Sequence, residues 1–332
     1  MRETTTDRFG RYVVMVNDDV PSIIDARVES DRFLSGRRVL DTSSTAVVVV
    51  STHDLTISND ETHDPAVAFD DGQVIAYEDT SITPSALQNL AAKRSGGDVV
   101  VRTGGTLTLE RDSTIRLPGR ALRLRADEVA IAGRIDVAGL VGGSVTVEGD
   151  VISVDGTIDA SGDHGGGVIQ LGGGWQGAGG FAPASRITVS DAASVDAGAR
   201  YDGDGGTIVL WADPKNPSAR VIVRGSLSAR GGRFGGDGGR IETSGPLLDI
   251  DGIDVDTVAP AGVYGTWLVD PRDISISESA DADISFSSGT YTSSSSSVAA
   301  TLSAATLSAA LESGNVTVST AGSGSMSGTI TV

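Results

Sequence analysis

The chain has 332 residues, of which 44 are glycine and only 4% are aromatic, and its formal net charge is -19. So few large side chains argue against a broad globular core, and so negative a net charge argues against nucleic acid and anionic membranes as partners, since both need a basic patch. The chain has no cysteine, which excludes disulfide scaffolds, thiolate zinc sites and cysteine nucleophiles. We therefore expect a narrow core in an extended body.

Residues 1–82 contain short β-rich runs, such as AVVVVS from Ala46, between acidic stretches and without a clear repeat. They predict an irregular β-rich segment. The start of the chain has no apolar stretch of signal-peptide length, and no window approaches about 18 apolar residues. If the parent protein is secreted, its signal is expected outside this sequence.

One short helix is predicted next. Thr83 supplies an N-cap, Pro84 occupies the first helical position, and glycines follow the run SALQNLAAKRS. This pattern predicts a helix over Pro84–Arg94, with Leu87, Leu90 and Ala91 on its packed face.

From Asp98 to about Ser277 the sequence alternates apolar and polar residues in short runs punctuated by glycine, such as DVVVRT, TLTLER, RIDVAG and SVTVEG. Alternation with period two is typical of half-buried strands. A unit of the form small-x-apolar-polar-small-x-Gly recurs with spacings of 23, 37 and 32 residues. Its copies begin at Gly133, Gly156, Ala193 and Gly225.

A degenerate repeat of this length predicts a solenoid or a propeller. A propeller blade needs about 40 residues and usually carries aromatic signatures, so the three tryptophans of the whole chain favour a β-helix. At about 23 residues per rung, this stretch predicts about eight rungs.

The recurring unit also assigns faces. Its apolar slot, predicted to point into the core, holds Ile135, Ile158, Val195 and Leu227, and the next slot, predicted to point outward, holds Asp136, Asp159, Asp196 and Ser228. Glycine runs that precede new strands are expected at the corners. These runs are Gly142-Gly143, Gly165 to Gly167, Gly205-Gly206 and Gly238-Gly239.

The remaining residues, 279–332, are predicted to form a Ser-rich loop and the start of a further repeat array. They include a second Leu/Ala-rich helix around Ala304 to Glu312. The predicted organisation is therefore an irregular segment at 1–82, a β-helix array at 83–278 and this final part.

Four motifs in order carry a resemblance to a known family: VIQLGGGWQGAGG at Val168, DGDGGTIVLWAD at Asp202, GSLSARGGRFGGDGGRIETSG at Gly225 and GTWLVDPRDISIS at Gly265. Together they resemble the shaft of filamentous-haemagglutinin-like adhesins exported by two-partner secretion. The resemblance covers about Thr83 to Val332. It does not include the Asn-rich motifs of the family's secretion domain, which implies a position downstream of that domain.

The resemblance implies an all-β fold, a right-handed parallel β-helix with short helical insertions. It implies a structural shaft segment of a large adhesin that is secreted or held on the outer-membrane surface, and that serves adhesion, cell contact and virulence. The implied partners are an outer-membrane two-partner transporter during export and a receptor or glycan on a host or neighbouring cell. It supplies no catalytic residue and no cofactor.

Two glycine-rich patterns invite a ligand-binding interpretation. Gly172, Gly174 and Gly177 match the spacing of a dinucleotide fingerprint, but the GAGGFAPAS that follows cannot form the helix that would hold a pyrophosphate, so a structural loop is favoured. Acidic glycine loops could bind calcium through their carboxylates, but tandem nonapeptides are missing, which favours solvated turns and no metal site. These loops contain Asp163, Asp202, Asp204 and Asp237.

The alternative function is a carbohydrate-active β-helix enzyme, a polysaccharide lyase or hydrolase. Asp136 and Asp159 could stack one rung apart as a carboxylate dyad. The same slot, however, also holds Asp196 and Ser228, as expected of an outward repeat position, so we expect no enzyme.

The histidines and tryptophans point to no site. His53, His63 and His164 lack metal-ligand spacing. The tryptophans lie at strand ends beside glycine, where capping of the thin core is favoured over a carbohydrate platform. They are Trp175, Trp211 and Trp267.

Overall fold

A computed structural model describes the backbone and side chains of residues 54–59, 81–89, 91–92, 98–250 and 253–270. It also describes the backbone of residues 23–26, 38–41, 47–51, 67–68, 73–76, 80, 90, 274–277, 300–303, 315–318 and 330–331. The chain divides into two compact units, Met1–Thr45 and Ala46–Val332. In the first unit, β1 (Ile23–Ala26) and β2 (Arg38–Asp41) pair antiparallel.

The second unit contains the other elements. It begins with β3 (Val47–Ser51), β4 (Leu55–Ile57), β5 (Val67–Ala68), β6 (Gln73–Ala76), β7 (Thr80–Ile82) and α1 (Pro84–Ala92). There follow β8 (Val99–Arg102), β9 (Thr106–Leu109), β10 (Thr114–Arg116), β11 (Ala121–Arg125), β12 (Glu128–Ile131), β13 (Arg134–Asp136), β14 (Ser144–Glu148), β15 (Val151–Val154), β16 (Thr157–Asp159), β17 (Val168–Leu171), β18 (Arg186–Val189) and β19 (Ser194–Asp196). The last are β20 (Thr207–Trp211), β21 (Arg220–Val223), β22 (Ser226–Ser228), β23 (Arg240–Ser244), β24 (Leu247–Asp249), β25 (Asp254–Asp256), β26 (Thr266–Asp270), β27 (Ile274–Ser277), β28 (Ala300–Ser303), β29 (Asn315–Val318) and β30 (Ile330–Thr331).

Three long sheets run along this unit. The first sheet has the order β29-β26-β23-β20-β17-β14-β11-β8-β3-β6-β5, the second β24-β21-β18-β15-β12-β9-β4-β7, and the third β10-β13-β16-β19-β22-β25. Their strands pair parallel, apart from β5 with β6. From β8 onward the chain visits the three sheets in turn, so each circuit is one rung of a right-handed parallel β-helix, as predicted.

The rungs are fewer than the sequence predicted. Six complete rungs run from β8 to β25 within the described residues, instead of about eight. The reason lies in the connections: Ala121 pairs with Ser144, 23 residues later, but Val168 pairs with Thr207, 39 residues later. Insertions therefore use up residues without adding rungs.

The array ends differently on its three sides. The first sheet continues beyond β8 through β3 and β6, and the second continues beyond β9 through β4 and β7. Strands within residues 1–82 therefore pair directly with the array, although they show no sequence repeat. Among the described strands the third sheet begins at β10, and Arg120 Nη1, at the end of the turn after β10, donates to the Ala91 oxygen of α1 over 2.6 Å. Helix α1 thus packs at the end of the third sheet, against β10.

The helix follows its sequence signals. The N–H of Ala86 donates to Thr83 Oγ1 over 3.2 Å, which confirms the N-cap. Leu87 and Ala91 are buried as predicted, while the side chain of Leu90 lies outside the described residues. The described helix spans Pro84–Ala92, and the last two residues of the predicted helix, Lys93 and Arg94, lie outside the described residues.

The core is a narrow set of apolar columns between the sheets. Ile135 pairs with Ile158, Ile158 with Val195 and Val195 with Leu227, and all four side chains are fully buried, which confirms the predicted inward slot. Burial of each such side chain contributes about 1.5–3 kcal/mol. Stability is therefore distributed along the rungs.

Paired glycines are required where the chain leaves the third sheet for the first. A Cβ on Gly166 would lie 1.8 Å from the Ala197 oxygen of the next rung, and a Cβ on Gly206 would lie 1.9 Å from the Gly167 oxygen of the previous one. Neighbouring rungs approach too closely for a side chain here. This close contact explains the glycine runs that the sequence places before new strands.

Within the described residues, none of the helices has the length and apolarity needed to cross a bilayer. The predicted Ser-rich loop and the predicted second helix at 304–312 lie outside the described residues. The division of the chain at residues 82 and 278 stays a prediction.

Candidate functional site

The predicted outward slot of the third sheet is a ladder of aspartates. Asp136, Asp159, Asp196, Ser228 and Asp256 follow one another in register on successive rungs. Each of the four carboxylates accepts a hydrogen bond from the backbone N–H two residues later. These donors are Ala138 at 3.2 Å, Ser161 at 3.1 Å, Gly198 at 2.8 Å and Val258 at 3.0 Å. The repeated aspartate therefore turns the chain at the end of each strand.

The stacked carboxylates differ in their electrostatics. Burial alone would raise the pKa of Asp159, but hydrogen bonds from Ser161 and the nearby guanidinium groups of Arg134 and Arg200 outweigh burial and lower it. Burial raises the pKa of Asp196, which also faces the negative charge of Asp159. Arg134 Nη2 lies 2.6 Å from Asp159 Oδ2. The stack predicted for Asp136 and Asp159 is present, but Asp159 is held ionised.

The connections from the third sheet to the first, residues 137–143, 160–167, 197–206, 229–239 and 257–265, form a column of corner loops. Backbone hydrogen bonds join one loop to the next: the N–H of His164 donates to the Leu140 oxygen over 2.7 Å, and the N–H of Phe234 to the Tyr201 oxygen over 2.7 Å. The loops are therefore layers of the solenoid and not free projections.

All the exposed large apolar side chains of the described residues lie in these corner loops or directly after them. We call this set the corner stripe: Leu140, Val141, Val168, Tyr201, Phe234, Val263 and Tyr264. Phe234 is 71% exposed and Leu140 is 72% exposed. Exposed apolar groups gathered at one edge of an acidic protein make this edge a candidate interaction surface.

The acidic residues of the corner loops take part in turn hydrogen bonds. Asp204 Oδ1 accepts from the N–H of Asp237, and Asp237 Oδ1 from the N–H of Val263, each over 2.8 Å. Asp163 lies 3.5 Å from Arg200. Within the described residues, no group of three or more histidine or acidic side chains is placed to hold a metal ion.

Among the described residues, the corner loops contain one histidine, His164. His164 Nδ1 lies 2.5 Å from Asp202 Oδ1. The hydrogen bond and the charge of Asp202 raise the pKa of His164 above its ordinary value. His53 and His63 lie outside the described residues.

A second set of acidic groups lies on the outer face of the first sheet. Glu242 is fully buried there because the insertion at residues 172–185 covers it. Its Oε2 accepts the N–H of Gln176 over 2.7 Å, and its Oε1 accepts the hydroxyl of Ser244 over 2.8 Å. Burial raises the pKa of Glu242. Burial, together with the charge of Glu242, raises the pKa of Asp270 to about 7.

Sequence reasoning did not identify this acidic pair. Glu242 stands at an outward position of the run RIETS, where a solvated side chain is the natural expectation. The signal that could have found it is the long glycine-rich insertion between β17 and β18, since an insertion must pack on some face of the solenoid.

The glycine-rich insertion has no dinucleotide-binding geometry. Gly172 has φ 74, and only the short 3₁₀ turn Trp175–Gly177 follows it. A Cβ on Gly173 would lie 2.7 Å from Cδ1 of Trp211, so the loop lies directly on that ring. The absence of an α-helix here, within residues that the structure describes, agrees with the predicted structural loop.

The three tryptophans have different surroundings. Trp211 is covered by the insertion, and the guanidinium of Arg240 lies 4.4 Å from the ring centre of Trp175. Trp267 lies in the core, where its Nε1 donates to Thr243 Oγ1 over 3.2 Å. Trp211 and Trp267 therefore offer no open ring face to a ligand.

The geometry thus leaves two surfaces to explain, the aspartate ladder with its arginines and the corner stripe. Comparisons of the chain with protein-family models and with curated proteins give no match.

Proposed function

We propose that this chain is a shaft segment of a large secreted bacterial surface adhesin of the filamentous-haemagglutinin-like kind. The observation that carries the proposal is the unbroken stack of rungs from β8 to β25, which holds a column of loops on one edge. The four ordered motifs of the sequence support the same assignment. In this proposal the core gives stiffness and the loops make contact.

The stack is suited to a mechanical role. Each rung pairs along three sheets with its neighbours, so a pull on one end is carried by many parallel hydrogen bonds and by the buried columns. The loops add no independent core. Contact with another cell therefore falls to side chains exposed at the corners, on a receptor or a glycan.

Adhesion is tested with beads coated with the chain and presented to cultured epithelial cells under flow. We expect more attached beads than with serum albumin as the coating. Attachment equal to the albumin control would remove the adhesive part of the proposal.

Export by an outer-membrane two-partner transporter is tested by fusing the chain behind a two-partner secretion domain and expressing it with the matching transporter. We expect protease-resistant chain outside the cell, since a cysteine-free chain can cross the periplasm without forming disulfides. Retention in the periplasm would contradict this route.

A carbohydrate-active enzyme is the second candidate, because Asp159 and Asp196 stack on neighbouring rungs with pKa values shifted in opposite directions. Two observations weigh against it. Both carboxylates already accept backbone N–H groups, and Asp159 lies between two arginines. Incubation with a panel of polysaccharides should release no new chain ends. Release that is lost in Asp196→Asn would favour the enzyme.

A further inference from the structure

We propose that the insertion at residues 172–185, which we call the cover, is a lid that stays closed in mild acid and opens as the pH rises towards neutrality. Opening bares an apolar patch on the outer face of the first sheet. The patch is formed by Val209 and Trp211 of β20, which are buried but alternate with the core residues Ile208 and Leu210. The cover connects the first sheet to the second, away from the corner loops, so this device is independent of adhesion.

The cover has no core of its own. Its 3₁₀ turn, Trp175–Gly177, packs on β20 and β23, and none of the side chains of that turn is buried. Its two aromatic rings stack on guanidinium groups of the sheet surface. Arg240 lies 4.4 Å from the ring centre of Trp175, and Arg123 lies 5.4 Å from that of Phe181. A segment held by so little buried apolar surface can open while the rungs stay folded.

Glu242 is the latch of the cover. Its Oε2 accepts the N–H of Gln176 over 2.7 Å. Gln176 has φ 52, and among the described residues it is the only non-glycine residue with a positive φ. Few residues with a side chain adopt this conformation without cost. The closed cover therefore combines a strained backbone with a fully buried carboxylate, and both are relieved when it opens.

A second carboxylate makes the latch sensitive to pH. Asp270 pairs with Ser244 of the neighbouring rung, and the hydroxyl of Ser244 donates to Glu242 Oε1 over 2.8 Å. Both acidic side chains thus lie beside one serine on the same face of the sheet, and Asp270 is only 8% exposed. Burial and the charge of Glu242 raise the pKa of Asp270 to about 7. When the cover opens, water reaches Glu242 and weakens the repulsion between the two carboxylates.

The charged groups around the pair set the direction of the effect. The cover, β17, β20 and β29 contain no titratable residue. Arg240 on β23 favours the ionised form of Glu242, but burial outweighs it and the pKa of Glu242 is raised. The other charged residues beside the cover are Arg123, Glu148, Asp150 and Asp213, whereas Arg272 and Asp273 lie outside the described residues.

The sign follows from these shifts. Both carboxylates hold their protons more tightly under the closed cover than in water, so closure is strongest near about pH 4. It weakens as the pH rises to about 7, where Asp270 loses its proton in the closed state. Above that pH no further change is expected from Asp270.

The test is hydrogen-deuterium exchange of the whole chain, read by mass spectrometry on the peptide spanning residues 173–182, at about pH 4.5 and about pH 7.5. The amide protons of Gln176, Gly177 and Ala178 are hydrogen-bonded in the closed cover and exchange when it opens. Asp270→Asn keeps that site neutral, and comparison at one pH cancels the intrinsic exchange rate. We expect parent and variant to exchange within about twofold at the lower pH, and the parent to exchange at least about tenfold faster at the higher pH.

Two further variants make the test specific. Asp191→Asn removes one charge from the exposed turn after β18, and as the matched control it should exchange like the parent at both pH values. Adding Glu242→Gln to both the parent and Asp270→Asn removes the charge that couples Asp270 to the cover. The difference between those two proteins at the higher pH should then shrink to within about threefold.

Three results would overturn the inference. The first is equal exchange of residues 173–182 by the parent and Asp270→Asn at the higher pH, and the second is slower exchange by the parent. The third is a difference of the same size in peptides from β16 and β19, since it would mean that the whole solenoid opens and not the cover alone.

Discussion

Placing a carboxylate in the apolar column of the third sheet should severely destabilise the solenoid. Ile158 is fully buried between Ile135 and Val195 of the neighbouring rungs, and the column has no polar partner to offer. In Ile158→Asp the new side chain must stay protonated in the fold. Holding a carboxyl of ordinary pKa near 3.9 protonated at pH 7 costs about 4 kcal/mol.

An unpaired buried polar group adds about 1–3 kcal/mol, so the total loss at pH 7 exceeds about 5 kcal/mol. The sign of the pH dependence follows. Because burial raises the folded-state pKa above the unfolded value, the protonation cost is absent below about pH 4 and grows as the pH rises. The variant should therefore be closest to the parent in acid.

Urea denaturation followed by far-ultraviolet circular dichroism, at pH 7 and pH 4, measures this effect. Ile158→Val is the matched core control and should cost about 0.5–1.5 kcal/mol. Asp163→Asn, which removes only a 3.5 Å contact with exposed Arg200, should stay within about 0.5 kcal/mol. If Ile158→Asp denatures with the parent at pH 7, residue 158 does not face a core and the register is wrong.

Four further outcomes are expected. Asp270→Asn should stabilise the fold by about 1–3 kcal/mol at pH 8. The reason is that the raised pKa of Asp270 makes the parent lose stability as the pH rises from about 4 to about 7, a loss that the variant avoids. Urea midpoints that rise equally at pH 4 would contradict this cause. Gly236→Ala should lower the free energy of unfolding by at least about 2 kcal/mol. Gly236 has φ 101, and a Cβ added there would lie 2.0 Å from the Gly203 oxygen. An unchanged melting temperature would be incompatible with that geometry. In proton NMR titrations His164 should show a pKa above its ordinary value that falls in Asp202→Asn; equal midpoints would exclude the pairing. Chelation of divalent ions should leave the melting temperature nearly unchanged, and a large fall would revive the calcium interpretation of the corner loops.

The faces of the strands could be predicted from the sequence alone. Ile158 and Leu227 belong to a repeated unit with period-two alternation, and in a strand that period decides which side chains point to the same face. The repeat also predicted that Asp136 and Asp159 would stack. The opposite pKa shifts of Asp159 and Asp196 could not be predicted, because they depend on how deeply each carboxylate is buried and on the hydrogen bonds and guanidinium groups that surround it in the folded chain.

The surfaces were decided by tertiary structure. Tyr201 and Phe234 stand in connections of unequal length, so no sequence period aligns them, and only the pairing of rungs brings their loops into one column. Glu242 has the sequence pattern of a solvated outward residue, yet it is fully buried because Gln176, 66 residues earlier, folds over the first sheet. Alternation along a strand is a local property of the chain. What covers a face, or lies beside it one rung away, is a property of the closed solenoid.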